Sequence, residues 1–291
     1  MNLIYKLENL DLKNSSPNDI RNLLSNHRIA YVSYPINVGE WILRARKGDN
    51  FVKREDLTYC PLSQSRSMQR CSLPGTTMFY GVISETFTLQ EYAHAVATSE
   101  CSQLCKEGIN SIGKEKFCVS YWEVIKPLNV ASFITDSTFI NCNNNTMLTD
   151  IRDNFQLKMK QKLTLEELNL LNFISQDFGK FVDFNNNHEY LISATITTDI
   201  ITKMGLDGVI YPSVKLSGQG GLNIALTTKA TDEKLRFKKV IKQTLYKNKD
   251  LSYICFESIT EKDKTTIIED ISDLKLNELL GGIDINDLMF V

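Results

Sequence analysis

Apolar positions recur along this chain with two periods, every second residue in some stretches and every third or fourth in others, and the changes between them predict its elements. Ser16-Pro17-Asn18-Asp19 predicts a helix start: Ser16 is the N-cap, Pro17 holds the first helical position, and an acid lies in the first turn ahead of Ile20, Leu23 and Leu24. Ile29 to Ile36 reads as a strand. In Glu40 to Arg46, period-2 alternation sends Trp41, Leu43 and Ala45 to one face and Ile42, Arg44 and Arg46 to the other, so two guanidinium groups emerge side by side.

Residues 58–78 are polar and turn-rich, with Pro61 and Pro74-Gly75, and predict a long loop before a short strand, Met78 to Ile83. A helix is expected over 89–106, with Tyr92, Ala95, Val96, Ser99 and Leu104 inward and Gly108 as its stop. Phe117 to Ile125 is a strand ended by Pro127. The Asn-rich segment from Asn141 to Thr146 is a turn or surface loop before a helical stretch, 147–161. Thr164-Leu-Glu-Glu167 is a capping box, followed by an apolar stripe of Leu165, Leu168, Leu171, Ile174, Phe178 and Phe181 that reads as packing. A helix over 189–204 ends at Gly205. Gly205 to Val214 then runs an apolar strand into Tyr211, Pro212 and Ser213, and a loop with Gly218, Gly220 and Gly221 returns to a second apolar run, 220–226. That layout sets a hydroxyl at a strand end, or is simply a buried hairpin. The lysine- and acid-rich tail from Lys229 reads as a peripheral extension of strands or a helix.

Composition narrows the class. With 42% apolar and 23% charged residues over 291 positions, the chain can bury a substantial core as one large domain with appendages. No apolar run of about 18 residues and no basic flank before an apolar segment at the N-terminus are present, which points to a cytoplasmic protein without a membrane partner. A formal net charge of −2 gives no global attraction for nucleic acid, and no helix carries a basic recognition face. Local positive charge gathers between Arg44 and Arg70. Seven cysteines in an odd set without paired CxxC spacing fit a reducing compartment and buried thiols, so no metal site is expected, although Cys101 and Cys105 would share a helix face.

Nothing matches a P-loop, a dinucleotide glycine fingerprint, a nucleophile elbow or an HExxH helix. What remains is polar residues at the mouths of short strands: Arg44 and Arg46, Arg70 with Ser72, Tyr80, Glu91 or Glu100, Ser213 and Asn223. Arginine forks suit a pyrophosphate, tyrosine offers a flat face to an aromatic base, and a carboxylate can hold ribose hydroxyls while stabilising positive charge at the anomeric carbon. Each also has an ordinary reading as an ion-pair partner, core aromatic, helix-surface acid or turn residue.

Taken in order, Leu43-Arg-Ala-Arg46, Gln69-Arg-Cys-Ser-Leu-Pro-Gly75, Met78-Phe-Tyr-Gly81, Thr98-Ser-Glu-Cys-Ser102, Asp207-Gly-Val-Ile-Tyr-Pro-Ser213 and Gly221-Leu-Asn-Ile-Ala-Leu226 resemble the blocks of the RES-domain family, toxins of bacterial toxin–antitoxin pairs. The similarity covers about residues 40 to 230. It implies an α+β fold like the ADP-ribosyltransferases, a split mixed β-sheet with surrounding helices. The corresponding division is an N-terminal extension at 1–40 packed on the domain, an NAD-binding catalytic domain at 41–228 and a C-terminal extension at 229–291. It implies cleavage of the nicotinamide–ribose bond of NAD, which is substrate rather than resident cofactor, by water or phosphate, and a protein antitoxin that neutralises the activity. The alternatives are ADP-ribosylation of a protein or nucleotide and an inactive nucleotide-binding module; homo-oligomerisation stays open.

Carried over by position, Arg44, Tyr80, Glu100 and Ser213 take the catalytic places, and Arg46, Arg70, Ser72, Tyr211 and Asn223 the NAD-binding ones. The chain departs from the family where Gln69 replaces a glycine and Cys71-Ser72 replace Trp-Asn. Glu91 competes with Glu100 on spacing from Tyr80, whereas Glu100 lies in the better-matching block.

Overall fold

The computed structural model describes residues 2–51, 53–84, 90–106, 111–135, 146–183, 185–213, 221–248, 251–261 and 264–266. The chain is α+β and divides into two compact units that interleave in sequence: Met1–Val38, Tyr59–Tyr80 and Lys126–Lys234 form the first, and Gly39–Thr58, Gly81–Ile125 and Leu235–Val291 the second.

The first unit opens with α1 (Leu3–Glu8) and α2 (Pro17–Leu24). The Ser16 side chain accepts from the Asp19 amide while Asp19 accepts from the Ser16 amide, the reciprocal box that the sequence predicts. These helices bury Leu7 and Ile20. Arg21 clamps Asp199 at 3.0 Å.

Strands β1 (Val32–Ile36) and β5 (Leu128–Ser132) pair antiparallel, β5 runs parallel to β6 (Gly208–Pro212), and β6 turns antiparallel into β7 (Leu222–Leu226). A parallel pair requires a long crossover. Here it carries α5 (Thr146–Asn154), a π turn over Phe155–Met159, α6 (Leu165–Gly179) and α7 (Leu191–Met204); α8 (Thr228–Lys234) follows β7. Gly205 ends α7 at φ +62°, the left-handed cap that lets the chain turn at once into β6. Gly208 has a different necessity: a Cβ there would lie 2.1 Å from the Ala225 carbonyl oxygen on β7.

Thr164 caps α6 through the expected box with Glu167. The stripe's middle, Leu171, Ile174 and Phe178, is buried, but its ends are not: Leu165 is 75% and Phe181 56% exposed. The first position of a helix and the residue beyond its last turn have run past the surface they would cover, which periodicity alone does not register.

The second unit is an antiparallel sheet in the order β3-β2-β4-β8-β9-β10, built from β2 (Trp41–Lys47), β3 (Phe79–Ser84, which belongs to this unit from Gly81 on), β4 (Gly113–Val124), β8 (Leu235–Asn248), β9 (Leu251–Glu261) and β10 (Lys264–Thr266). The tail expected to be peripheral supplies β8, which pairs with β4 on one side and β9 on the other and is therefore an interior strand. Its lysines hid this role, yet Val240, Ile241, Gln243, Thr244 and Leu245 are all buried.

The helix expected over 89–106 is two, α3 (Gln90–Cys101) and α4 (Gln103–Lys106), separated at Ser102. Ala95, expected inward, is exposed, and Ala93, His94, Val96, Ala97 and Thr98 are buried. Two polar residues sit on the inner face because the sheet offers them partners, and a hydrophobic stripe cannot register that. The side chains of Tyr92 and Glu91, and Asn141 to Asn145, lie outside the described residues. Among the described residues, no helix is long and apolar enough to cross a membrane.

Candidate functional site

The sequence-selected residues gather in two neighbourhoods, one in each unit. In the second unit, Arg44 and Arg46 flank the buried Ala45 on β2, each partly accessible as the period-2 pattern requires. Helix α3 packs on this strand. Its last residue, Cys101, sets its thiol 3.2 Å from the carbonyl oxygen of Ala45, the residue between the two arginines. Glu100 therefore belongs to the helix turn anchored on the arginine strand.

Arg46 donates through Nη1 to the Asp56 carbonyl, and its guanidinium lies 5.5 Å from the centre of the Phe51 ring. Ser120 donates to the Arg44 carbonyl at 3.1 Å and accepts from the Trp122 indole at 2.9 Å. Those bonds tie β2 to β4 beside Arg44.

Glu115 pins the far end of α3. This carboxylate is fully buried and accepts from the Ser102 hydroxyl, from the Gln103 amide at 3.0 Å and from the Leu104 amide at 3.4 Å, with the Lys47 ammonium 3.2 Å away. It satisfies otherwise orphaned amides at the start of α4 and so fixes the break at Ser102.

Two turns earlier, His94 is enclosed, 3% exposed, with Nδ1 2.6 Å from the Tyr121 hydroxyl and Nε2 against the Gln243 side-chain oxygen. Burial pushes its pKa down to about 4, with the Lys239 ammonium adding to the effect and the bond to Gln243 opposing it. His94 is thus a neutral imidazole at physiological pH. The apolar stripe expected over 89–106 does not include it.

In the first unit, the segment Gln69–Ser72 closes on itself through an isolated bridge. The Ser72 hydroxyl is 2.9 Å from the Tyr80 hydroxyl, which also accepts the Cys71 amide at 3.2 Å. This phenol is held by a side chain and a main-chain donor together. Arg70 donates to the carbonyls of Asp177, Phe178 and Lys180 at 3.3, 2.7 and 2.9 Å, collecting the carbonyls at the end of α6. Its guanidinium lies 4.8 Å from the ring centre of Tyr190 and 5.7 Å from that of Tyr211.

Tyr211 and Asn223 face each other across the β6–β7 pair, and both are nearly buried. Ser213 follows at the strand end, 3% exposed, its amide donating to the Gly221 carbonyl at 2.8 Å. The structure thus brings Arg70 together with Tyr211 and Ser72 with Tyr80, and places Asn223 and Ser213 on the adjoining hairpin. Two of the residues that depart from the resembled block, Ser72 and Cys71, have distinct consequences. Ser72 supplies the hydroxyl that holds Tyr80. Cys71 is buried, and desolvation pushes its thiol up to about 12, against the opposing Arg70 charge, so it is no nucleophile near neutral pH.

Asp177, 6% exposed, is paired with Lys180 at 2.6 Å, and burial raises its pKa despite the Lys180 and Arg70 charges. No residue pattern marked it, because its importance comes from enclosure. The polar groups gathered in the two neighbourhoods include guanidiniums, hydroxyls and the Glu100 carboxylate. Among the described residues no cluster of His, Cys, Asp or Glu is placed to hold a metal ion.

The sequence matches no protein-family model and no curated protein. Among solved structures, the chain is similar to a chain of the M. tuberculosis MbcT–MbcA toxin–antitoxin complex, at 9% identity and a TM-score of 0.32, over 70% of this chain and 85% of that one.

Proposed function

We propose that the protein cleaves the nicotinamide–ribose bond of NAD and that a protein antitoxin neutralises it, as its resemblance to the RES-domain toxins implies. The observation that carries the reading is the anchoring of α3 on β2: the Cys101–Ala45 contact ties the turn bearing Glu100 to the strand bearing Arg44 and Arg46.

In this reading Arg44 and Arg46 bind the pyrophosphate, where two guanidinium forks meet four acidic oxygens. Glu100 holds the ribose hydroxyls. As the glycosidic bond stretches, the ribosyl carbon becomes oxocarbenium-like, and the carboxylate stabilises that charge more than it stabilises neutral ribose. Nicotinamide leaves as a neutral base and needs no general acid. The resemblance gives Tyr80, whose hydroxyl is held by Ser72 and the Cys71 amide, the role of packing on nicotinamide or its ribose. By the resemblance, Ser213 takes a catalytic place and Arg70, Tyr211 and Asn223 take NAD-binding ones.

The test is nicotinamide release from NAD by the purified chain, with and without inorganic phosphate, beside Glu100→Gln and Glu91→Gln. Glu100→Gln should lower turnover by about 10² or more, the scale of removing one electrostatic stabiliser, with a smaller effect on binding. Phosphate dependence would identify the acceptor. No release from a folded, inhibitor-free chain would refute the proposal and leave transfer to a macromolecule, read by labelled product, or simple nucleotide binding.

A further inference from the structure

We infer that Gln243, on β8 and outside the segments that resemble the RES family, is a positioning residue for Glu100, acting through His94 and Thr98. The inference rests on the NAD-cleavage reading and adds to it the device that sets the glutamate's place.

The hydrogen-bond directions leave each group one role. Gln243 Nε2 donates to the Thr98 hydroxyl at 2.8 Å, so its Oε1 is the atom turned to His94 and must accept from Nε2–H. With that proton on Nε2, Nδ1 accepts from the Tyr121 hydroxyl at 2.6 Å. Thr98 in turn donates to the His94 main-chain carbonyl at 2.9 Å, closing the loop on α3 itself. His94, Thr98, Tyr121 and Gln243 are 3, 1, 4 and 1% exposed, so water competes for none of these bonds.

Such a network specifies position in a way that apolar contacts do not. Ala93, Val96 and Ala97 are small, and their non-directional packing tolerates a helix that slips or rotates slightly. Gln243 reads two positions one turn apart on the inner face and so fixes both the height and the rotation of α3. Thr98 lies two residues before Glu100; Cys101 on Ala45 and Ser102 on Glu115 fix the residues just after it. The glutamate is thereby bracketed by directional bonds to β8, β2 and β4. A helix that only covered the sheet would not require this. A carboxylate that must meet a developing charge does, because displacements near 1 Å cost about 10²-fold in rate.

The experiment measures nicotinamide release against NAD concentration for the full chain and for Gln243→Leu, Thr98→Val and Thr98→Ser, with thermal melting of each. Gln243→Leu and Thr98→Val should lower kcat about tenfold or more with KM held within about threefold, whereas Thr98→Ser, which keeps the hydroxyl, should stay within about twofold of the parent. If Gln243→Leu does not fold, the Thr98 pair decides. A kcat within about twofold of the parent in folded Thr98→Val, or a loss confined to KM, overturns the inference and leaves the NAD reading standing. No release from the parent chain itself overturns both.

Discussion

Acidification should destabilise the protein through His94 in a calculable window. Its pKa falls from 6.5 to about 4 on folding, so the unfolded chain binds a proton more readily than the folded one between those values. The stability it contributes is therefore complete above about pH 6.5 and is lost as pH falls through the folded pKa. At about 1.4 kcal/mol per unit, the full loss is about 3 kcal/mol, and about 2 kcal/mol of it should be gone by pH 5. The imidazole is buried, so solvent screening removes little of this.

The assay is urea unfolding at about pH 8 and pH 5 for the full chain and for His94→Gln, whose amide can still donate to Gln243 but does not titrate in this range. Asp177 acts in the opposite sense: its pKa is raised by burial, so the folded chain binds that proton more tightly and its contribution grows as pH falls. It is present in both proteins and cancels in the difference. The parent should lose about 2 kcal/mol more than His94→Gln between the two pH values. Equal losses, within about 0.5 kcal/mol, would refute the claim that His94 is held neutral by its burial.

Gly208→Ala should cost about 3 kcal/mol, at the upper end for overpacking, because the new methyl meets the Ala225 carbonyl, a backbone atom with nowhere to go; a melting temperature near the parent's would contradict this. Thr164→Ala should cost about 1 kcal/mol by urea unfolding, through loss of the α6 capping box. Cys71 should resist alkylation in the native chain near pH 8 and react only on unfolding, because its thiol is buried with a pKa pushed up to about 12; rapid native labelling, located by mass spectrometry, would show that the site opens. Tyr80→Phe should cost about 1 kcal/mol in stability, since the Cys71 amide and the Ser72 hydroxyl lose their common partner, and a neutral result would mean that water replaces the phenol.

Local chemistry made much of the chain legible. The caps at Ser16 and Thr164, the stop at Gly205 and the alternation on Trp41–Lys47 each depend on a few neighbouring residues, so they could be read before any fold was known. The candidate residues were likewise visible as types: two arginines on one strand, a tyrosine opening another, a serine at a strand end. What the sequence did not disclose was partnership. Ala95 was expected inward in place of its neighbour His94, because hydrophobicity cannot register a buried imidazole whose bonds go to Tyr121 and to Gln243, 149 positions away. Residues 235–248 looked peripheral because lysines mask an interior strand; the pairing of β8 with β4 made it one. The sequence by itself determined where helices start, where they stop and which side chains could carry charge. Tertiary structure alone decided which polar groups were enclosed together, because enclosure strips away water, and only then do a histidine's proton and a glutamine's orientation acquire a single arrangement.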